Sequence, residues 1–275
     1  PLADDMTLPN RIAFLLLVLV IVLSTVLYGT VHQPVLALFY VAVALMVALW
    51  AADAFRKGAV EINSSKLQIP FYAAAAYGLV QAIPFGSIGE IAGLPAIPRT
   101  ISFDPFATQM SALHYLALGL FFSVSLVLVN SAGRIRRLVI IIAIFGFAYA
   151  FFAILQAVLS PGKIYGIYEA RSAQPFGSFV NRNNFAAYME MTIAVPLGML
   201  FSGSVARDKR LLYITGIALM GVALLLSGSR GGLIALLAEV ILLVVLTTGA
   251  KSRGRLFVKV GLAALLIAGI VVGSI

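Results

Sequence analysis

The chain has no cysteine, and its 275 residues include only two histidines, His32 and His114. A disulfide framework, a thiolate nucleophile and a cysteine-based metal site are therefore excluded. The histidines stand far apart in sequence, so no His-rich metal cluster is expected. Charge is scarce as well: 11% of the residues are charged, against about a quarter in a soluble domain. A mean hydropathy of +1.07 leaves too few polar side chains to cover a water-soluble globule. Serine-nucleophile elbows, phosphate-cradling Walker loops and dinucleotide fingerprints are also missing. No cleavable signal peptide is expected, because the first apolar run is too long and lacks a small-residue cleavage site.

What the chain does have is apolar length, with 62% of its residues hydrophobic. A bilayer-crossing helix takes roughly 20 apolar residues. Nine runs meet that need, at about 12–28, 35–52, 67–85, 110–129, 138–159, 184–202, 211–228, 232–248 and 256–275. Most are rich in Leu, Val, Ile and Ala on every face, as expected for helices covered by lipid or by other helices. The fold class predicted is all-α, a polytopic transmembrane helical bundle of about nine spans. The whole of 1–275 is expected to form a single transmembrane domain, the N-terminal portion of a longer protein.

The net charge of +9 does not mark a nucleic-acid partner, because the basic residues are scattered through short connections. They are unevenly shared. Arg11, Arg56, Lys57, Lys66, Arg134, Arg136, Arg137, Arg207, Lys209, Arg210, Lys251, Arg253, Arg255 and Lys259 fall on one side, and Arg99, Lys163, Arg171, Arg182 and Arg230 on the other. The positive-inside rule then predicts a cytoplasmic N-terminus. The two long connections, 86–109 and 160–183, become outer loops. Long connections usually carry function, so activity is expected on the outer face.

The sharpest local pattern runs from Pro175 through Asn181-Arg182-Asn183-Asn184 to Ala186. Asn caps helix starts. An Arg beside the positive end of a helix dipole makes an anion site. The plain alternative is a cap with an arginine anchored at lipid headgroups. Ser227-Gly228-Ser229-Arg230-Gly231-Gly232 forms a tight turn at the same predicted face, and Arg230 again opens a helix. Two such sites suit a diphosphate, since guanidinium forks match phosphate oxygens. Snorkelling is the alternative for Arg230. Gln81, Gln156 and His114 lie near outer helix ends, where interhelical hydrogen bonds are the simpler reading. Glu190 and Glu239 are carboxylates inside apolar runs, either functional groups or structural partners. Tyr165 and Tyr168 suit headgroup anchoring better than sugar stacking.

The run Gly177, Asn181, Asn183 and Ala186 leading into a helix resembles the O-antigen ligase and polymerase superfamily. So do the Ser229-Arg230-Gly231 turn, the segment 101–108 and the Gln81–Pro84 ending of the third run. The resemblance covers about residues 65–245. It implies a GT-C-like bacterial inner-membrane glycosyltransferase whose active face is periplasmic and which needs no cofactor or metal. It implies transfer of a glycan from an undecaprenyl diphosphate donor to an acceptor that is a glycan, a lipid A core or a protein. Outer-loop arginines would hold the diphosphate, making Arg171, Arg182 and Arg230 candidates. Asn181, Asn183, Gln81, Gln156 and Glu190 would surround them. The acceptor-activating histidine of such proteins is expected in a later loop, beyond residue 275. The other functions weighed are a transporter of a small anion such as bicarbonate and a scaffold for polysaccharide export.

Overall fold

The computed structural model describes residues 7–89, 97–170 and 173–247. Eight α-helices dominate: α1 (Leu8–Val26), α2 (Gln33–Lys57), α3 (Ile69–Gln81), α4 (Pro105–Leu128), α5 (Ala132–Leu159), α6 (Arg182–Phe201), α7 (Arg210–Leu226) and α8 (Arg230–Thr247). Six are long and apolar enough to cross a membrane: α1, α2, α4, α5, α6, and α7 with the short 3-10 turn before it. The chain is accordingly read as a membrane protein.

Eight of the nine predicted runs coincide with these helices, and the run 256–275 lies outside the described residues. The third run is shorter than expected. As α3 it holds 13 residues, about 20 Å of helix against a hydrocarbon core of about 30 Å. The chain leaves the helix at Ala82, ahead of Pro84, whose ring disfavours helical backbone in the residue before it. Other helices begin earlier or end later than the apolar runs. Arg11, Arg56, Lys57, Arg134, Arg136 and Arg137 all lie within helices rather than loops. Arg and Lys are good helix formers, and their long stems let the charge reach water from a helix end.

The chain divides into two compact units, one of residues 1–20 and 36–134, the other of residues 21–35 and 135–275. In the first unit α3 and α4 form a close pair. Gly78 admits Ala112, whose Cβ would lie 3.0 Å from a Cβ at position 78. Asp104 caps α4 by accepting from the Ala107 N–H at 2.9 Å. The Arg134 guanidinium covers the other end, donating to the Leu128 carbonyl at 2.7 Å, where a cation suits the helix C-terminus.

The second unit is built around α6. Phe185, Ala186, Met189 and Ile193 share its buried face and meet Tyr149, Ala150 and Ala153 of α5, Met220, Ala223 and Leu224 of α7, and Leu233 of α8. Each of the two long connections also carries a short antiparallel ladder: β1 (Ser87–Ile88) with β2 (Ile97–Pro98), and β3 (Lys163–Ile164) with β4 (Tyr168–Glu169). The all-α expectation omits these two-residue strands, which are too short for alternation to register in sequence.

Candidate functional site

The Pro175–Ala186 motif folds as a braced turn leading into α6. The backbones of Phe176 and Phe179 bond each other reciprocally at 3.1 Å. Ser178, fully buried, donates its hydroxyl to the Thr25 carbonyl, and its N–H bonds the Tyr149 hydroxyl at 2.9 Å. Gln156 is buried in α5, and its amide is committed to the loop. Its Nε2 donates to the Gly177 carbonyl, and its Oε1 accepts from the Tyr165 N–H at 2.9 Å. Gln156 therefore shapes the turn.

Asn181 is the cap of α6. Its backbone is extended, and its side chain accepts from the Asn183 N–H at 2.8 Å. The Asn cap expected from sequence is thus made by one member of the cluster. The Asn183 and Asn184 side chains are exposed and bond no other described residue. Arg182 begins the helix, with its own N–H held by the Gln174 carbonyl at 2.8 Å.

The second motif caps α8, and here the cap is Ser229, a role the sequence did not single out. Its Oγ accepts from the Gly232 N–H at 3.3 Å, and its carbonyl accepts from Leu233. Ser229 and Ser227 are both buried. Gly228 turns the chain with a left-handed φ of +66°, which glycine adopts without steric cost.

These two helix starts lie side by side. A Cβ at Gly232 would stand 2.6 Å from the Ala186 Cβ, so only glycine lets α8 approach α6 this closely. A Cβ at Gly228 would stand 3.3 Å from Nη1 of Arg182. The Arg182 guanidinium therefore rests on the turn from which Arg230 departs two residues later. Arg182 is half-buried and Arg230 exposed. Among the described residues neither is paired with a carboxylate. Two positive helix ends and the Arg182 guanidinium thus occupy one corner, with Arg230 opening α8 beside it, and backbone dipole and side-chain charge there both favour an anion.

The other candidates separate from this corner. Glu190 lies eight residues beyond Arg182, about 12 Å down α6, within Coulombic reach of Glu239 on α8. Gln81 belongs to the first unit, where it lines an open groove with Tyr77, Asp104, Thr108, Ser111 and Tyr115. His114 is in that unit too, its Nδ1 3.2 Å from the Tyr40 hydroxyl, which is the interhelical bond expected of it. Arg171 lies outside the described residues. Among those residues no three His, Asp or Glu side chains gather where a metal ion would be held.

Sequence reasoning missed two clusters. Asp53 of α2 is almost fully buried. It accepts from the Thr7 hydroxyl, from Asn10 Nδ2 at 3.0 Å and from Lys57 Nζ at 3.0 Å, while Lys57 also reaches Glu61 at 2.9 Å. The available signal was a lone acid at the end of the second apolar run with lysine four residues on. The second cluster joins Tyr28 and His32 to Tyr165 and Tyr168, and nothing local in the sequence announces it. Comparison of the chain with protein-family models, with curated proteins and with solved structures finds no match in any of the three.

Proposed function

We propose that this chain holds the diphosphate of a lipid-linked glycan at the corner between the starts of α6 and α8, as part of a membrane glycosyltransferase of the O-antigen ligase or polymerase kind. The observation that carries the reading is the contact of the Arg182 guanidinium with Gly228, beside Arg230. In such a transfer an acceptor hydroxyl oxygen attacks the anomeric carbon, giving up its proton to a base or to water, and the bond from that carbon to the phosphate oxygen breaks. The electron pair leaves with the lipid diphosphate. Cations already fixed where that charge grows lower the barrier without having to reorganise. Arginine suits this task because its planar fork meets two phosphate oxygens and stays charged.

The lipid tail would lie in the bilayer, with the sugar and its acceptor outside it. The reading places the helices as a GT-C-like arrangement of about nine spans in a bacterial inner membrane. The N-terminus is cytoplasmic and the corner of α6 and α8 faces the periplasm. Undecaprenyl diphosphate is the donor lipid, and a glycan, a lipid A core or a protein is the acceptor. The anion-transporter alternative has less support. Beyond their opening arginines, the formally charged groups within α6 and α8 are the carboxylates Glu190 and Glu239, which repel an anion along that route.

The test is photo-crosslinking of the full-length protein in membranes with a diazirine-bearing analogue of undecaprenyl diphosphate. Adducts are expected on peptides around 174–190 and 226–236. Adducts confined to other segments would overturn the assignment. Cysteine labelling on this cysteine-free background tests the orientation. Positions beside Gly89 and Lys163 are expected to react from outside, and reaction beside Arg136 instead would reverse it.

A further inference from the structure

We infer that Tyr28, His32, Tyr165 and Tyr168 form an aromatic platform that binds the sugar rings of the glycan carried on the lipid diphosphate. The platform rests on the donor-site reading above and extends it from the phosphate to the sugar.

The four rings come from two connections far apart in sequence. Tyr28 meets His32, Tyr168 and Tyr165 at centroid distances of 5.0, 5.3 and 5.8 Å, and His32 meets Tyr168 at 5.4 Å, all edge to face. Strong local constraint holds them there. Tyr28, Thr30 and Tyr165 are the non-glycine residues with left-handed backbone among those described, with φ of 57°, 60° and 55°. L-residues avoid this region because Cβ crowds the following carbonyl. It persists only where surrounding contacts enforce it, and such strain gathers at binding and catalytic sites. The enforcing contacts are present. The Tyr165 hydroxyl donates to the Val26 carbonyl, and the Thr30 hydroxyl donates to the Ser24 carbonyl at 3.2 Å.

The chemistry of the cluster suits a pyranose. Ring faces attract the C–H-bearing face of a sugar, and polar ring edges can bond its hydroxyls. The Tyr28 and Tyr168 hydroxyls and both His32 nitrogens bond no other described residue, and Tyr165 is 37% exposed. The neighbouring charge is already matched, since Lys163 pairs with Glu169 at 2.9 Å. Headgroup anchoring, the role expected for Tyr165 and Tyr168 from sequence, asks only for single aromatic residues at the interface. It gives no reason to strain three backbone positions so that four rings meet.

Location links the platform to the phosphate corner. A Cβ at Gly29, next to Tyr28, would stand 2.6 Å from the Phe179 ring. Phe179 precedes Arg182 by three residues, at most about 11 Å of chain. A glycan attached to a diphosphate held at Arg182 is therefore within reach of the platform.

The test measures binding of the full-length protein in nanodiscs to two probes, undecaprenyl diphosphate alone and the same lipid carrying a di-N-acetylhexosamine. The wild type is expected to bind the glycosylated probe about tenfold more tightly, the scale of ring stacking plus burial. Tyr168→Ala and Tyr28→Gly should bring the two affinities together and leave the bare lipid unchanged, while Tyr168→Phe keeps most of the preference. Tyr28→Gly also relieves the left-handed strain, so its thermal stability should not fall. Arg182→Lys should weaken both probes alike, which reads the donor site separately. A preference that survives Tyr168→Ala and Tyr28→Gly, or a wild type without preference, would overturn the platform and leave the phosphate site standing. Failure of Arg182→Lys to weaken either probe would remove the donor site and the platform with it.

Discussion

Two charged clusters of this chain are answered in opposite ways. Around Asp53 the protein supplies every partner itself: a hydroxyl, an amide and an ammonium surround one carboxylate, and the ammonium is shared with Glu61. The starts of α6 and α8 lie side by side and carry Arg182 and Arg230, neither of them paired with a carboxylate among the described residues. Buried charge is costly unless paired, so a carboxylate whose three partners all come from the fold is already answered within it. A cationic corner with no counter-charge among the described residues is open to an anion, which the proposed diphosphate would supply.

The largest effect that would sharpen this contrast is on stability. Asp53→Ala leaves the buried Asn10 amide without its acceptor and the exposed Lys57 with Glu61 alone, and should cost about 2 kcal/mol, read as a lower thermal midpoint in detergent. Arg182→Lys should leave that midpoint unchanged and weaken binding of undecaprenyl diphosphate about tenfold, because a point charge replaces one forked contact. If Arg182→Lys destabilised the protein as Asp53→Ala does, the two clusters would be of one structural kind.

A smaller effect is expected at Asn183. Its side chain is exposed and free of the cap, so Asn183→Asp should fold normally. The new carboxylate would offset part of the Arg182 field and weaken lipid diphosphate binding by a few-fold, the scale of one charge near a helix end. Unchanged binding would reduce the Asn cluster to its Asn181 cap.

The smallest effect concerns the β3–β4 hairpin. The ammonium of Lys163 bonds Glu169 and holds its carboxyl below the ordinary carboxylate range. A depressed folded-state value contributes stability above the unfolded value, and this is lost as pH falls through the folded one. Glu169→Gln should therefore loosen the hairpin slightly at neutral pH, seen as faster amide exchange at Tyr168. The difference should fade as pH falls below the ordinary glutamate value of about 4.3 and vanish once the pH has passed the lower folded-state one. The difference will be slight because exposed pairs contribute little.

The helices were legible because each is an apolar run longer than any strand, and the cap at Asn181 because Asn before a helix has a local physical role. Ser229 was hidden within a glycine turn whose flexibility drew the attention. Arg182 and Arg230 were each legible as the start of a helix, and the structure sets those two helix starts side by side. The tight α6–α8 contact that joins them depends on Gly232 meeting Ala186, a tertiary match that one sequence does not display. Gln156 read as an interhelical bond or, through the resemblance, a substrate contact, and the loop that takes its amide lies far enough along the chain to leave no local signal. The Tyr28 cluster was illegible for the same reason as the β3–β4 ladder: its partners lie far along the chain, and two-residue strands leave no periodicity.

A double-mutant cycle tests the shared diphosphate most directly. Binding of undecaprenyl diphosphate is measured for the full-length wild type, Arg182→Lys, Arg230→Lys and the double variant. If both guanidiniums hold one diphosphate, each single change weakens binding and the pair departs from additivity by at least about 0.5 kcal/mol. Single changes without effect, or losses that add to within about 0.3 kcal/mol, would contradict a site built by the two arginines together.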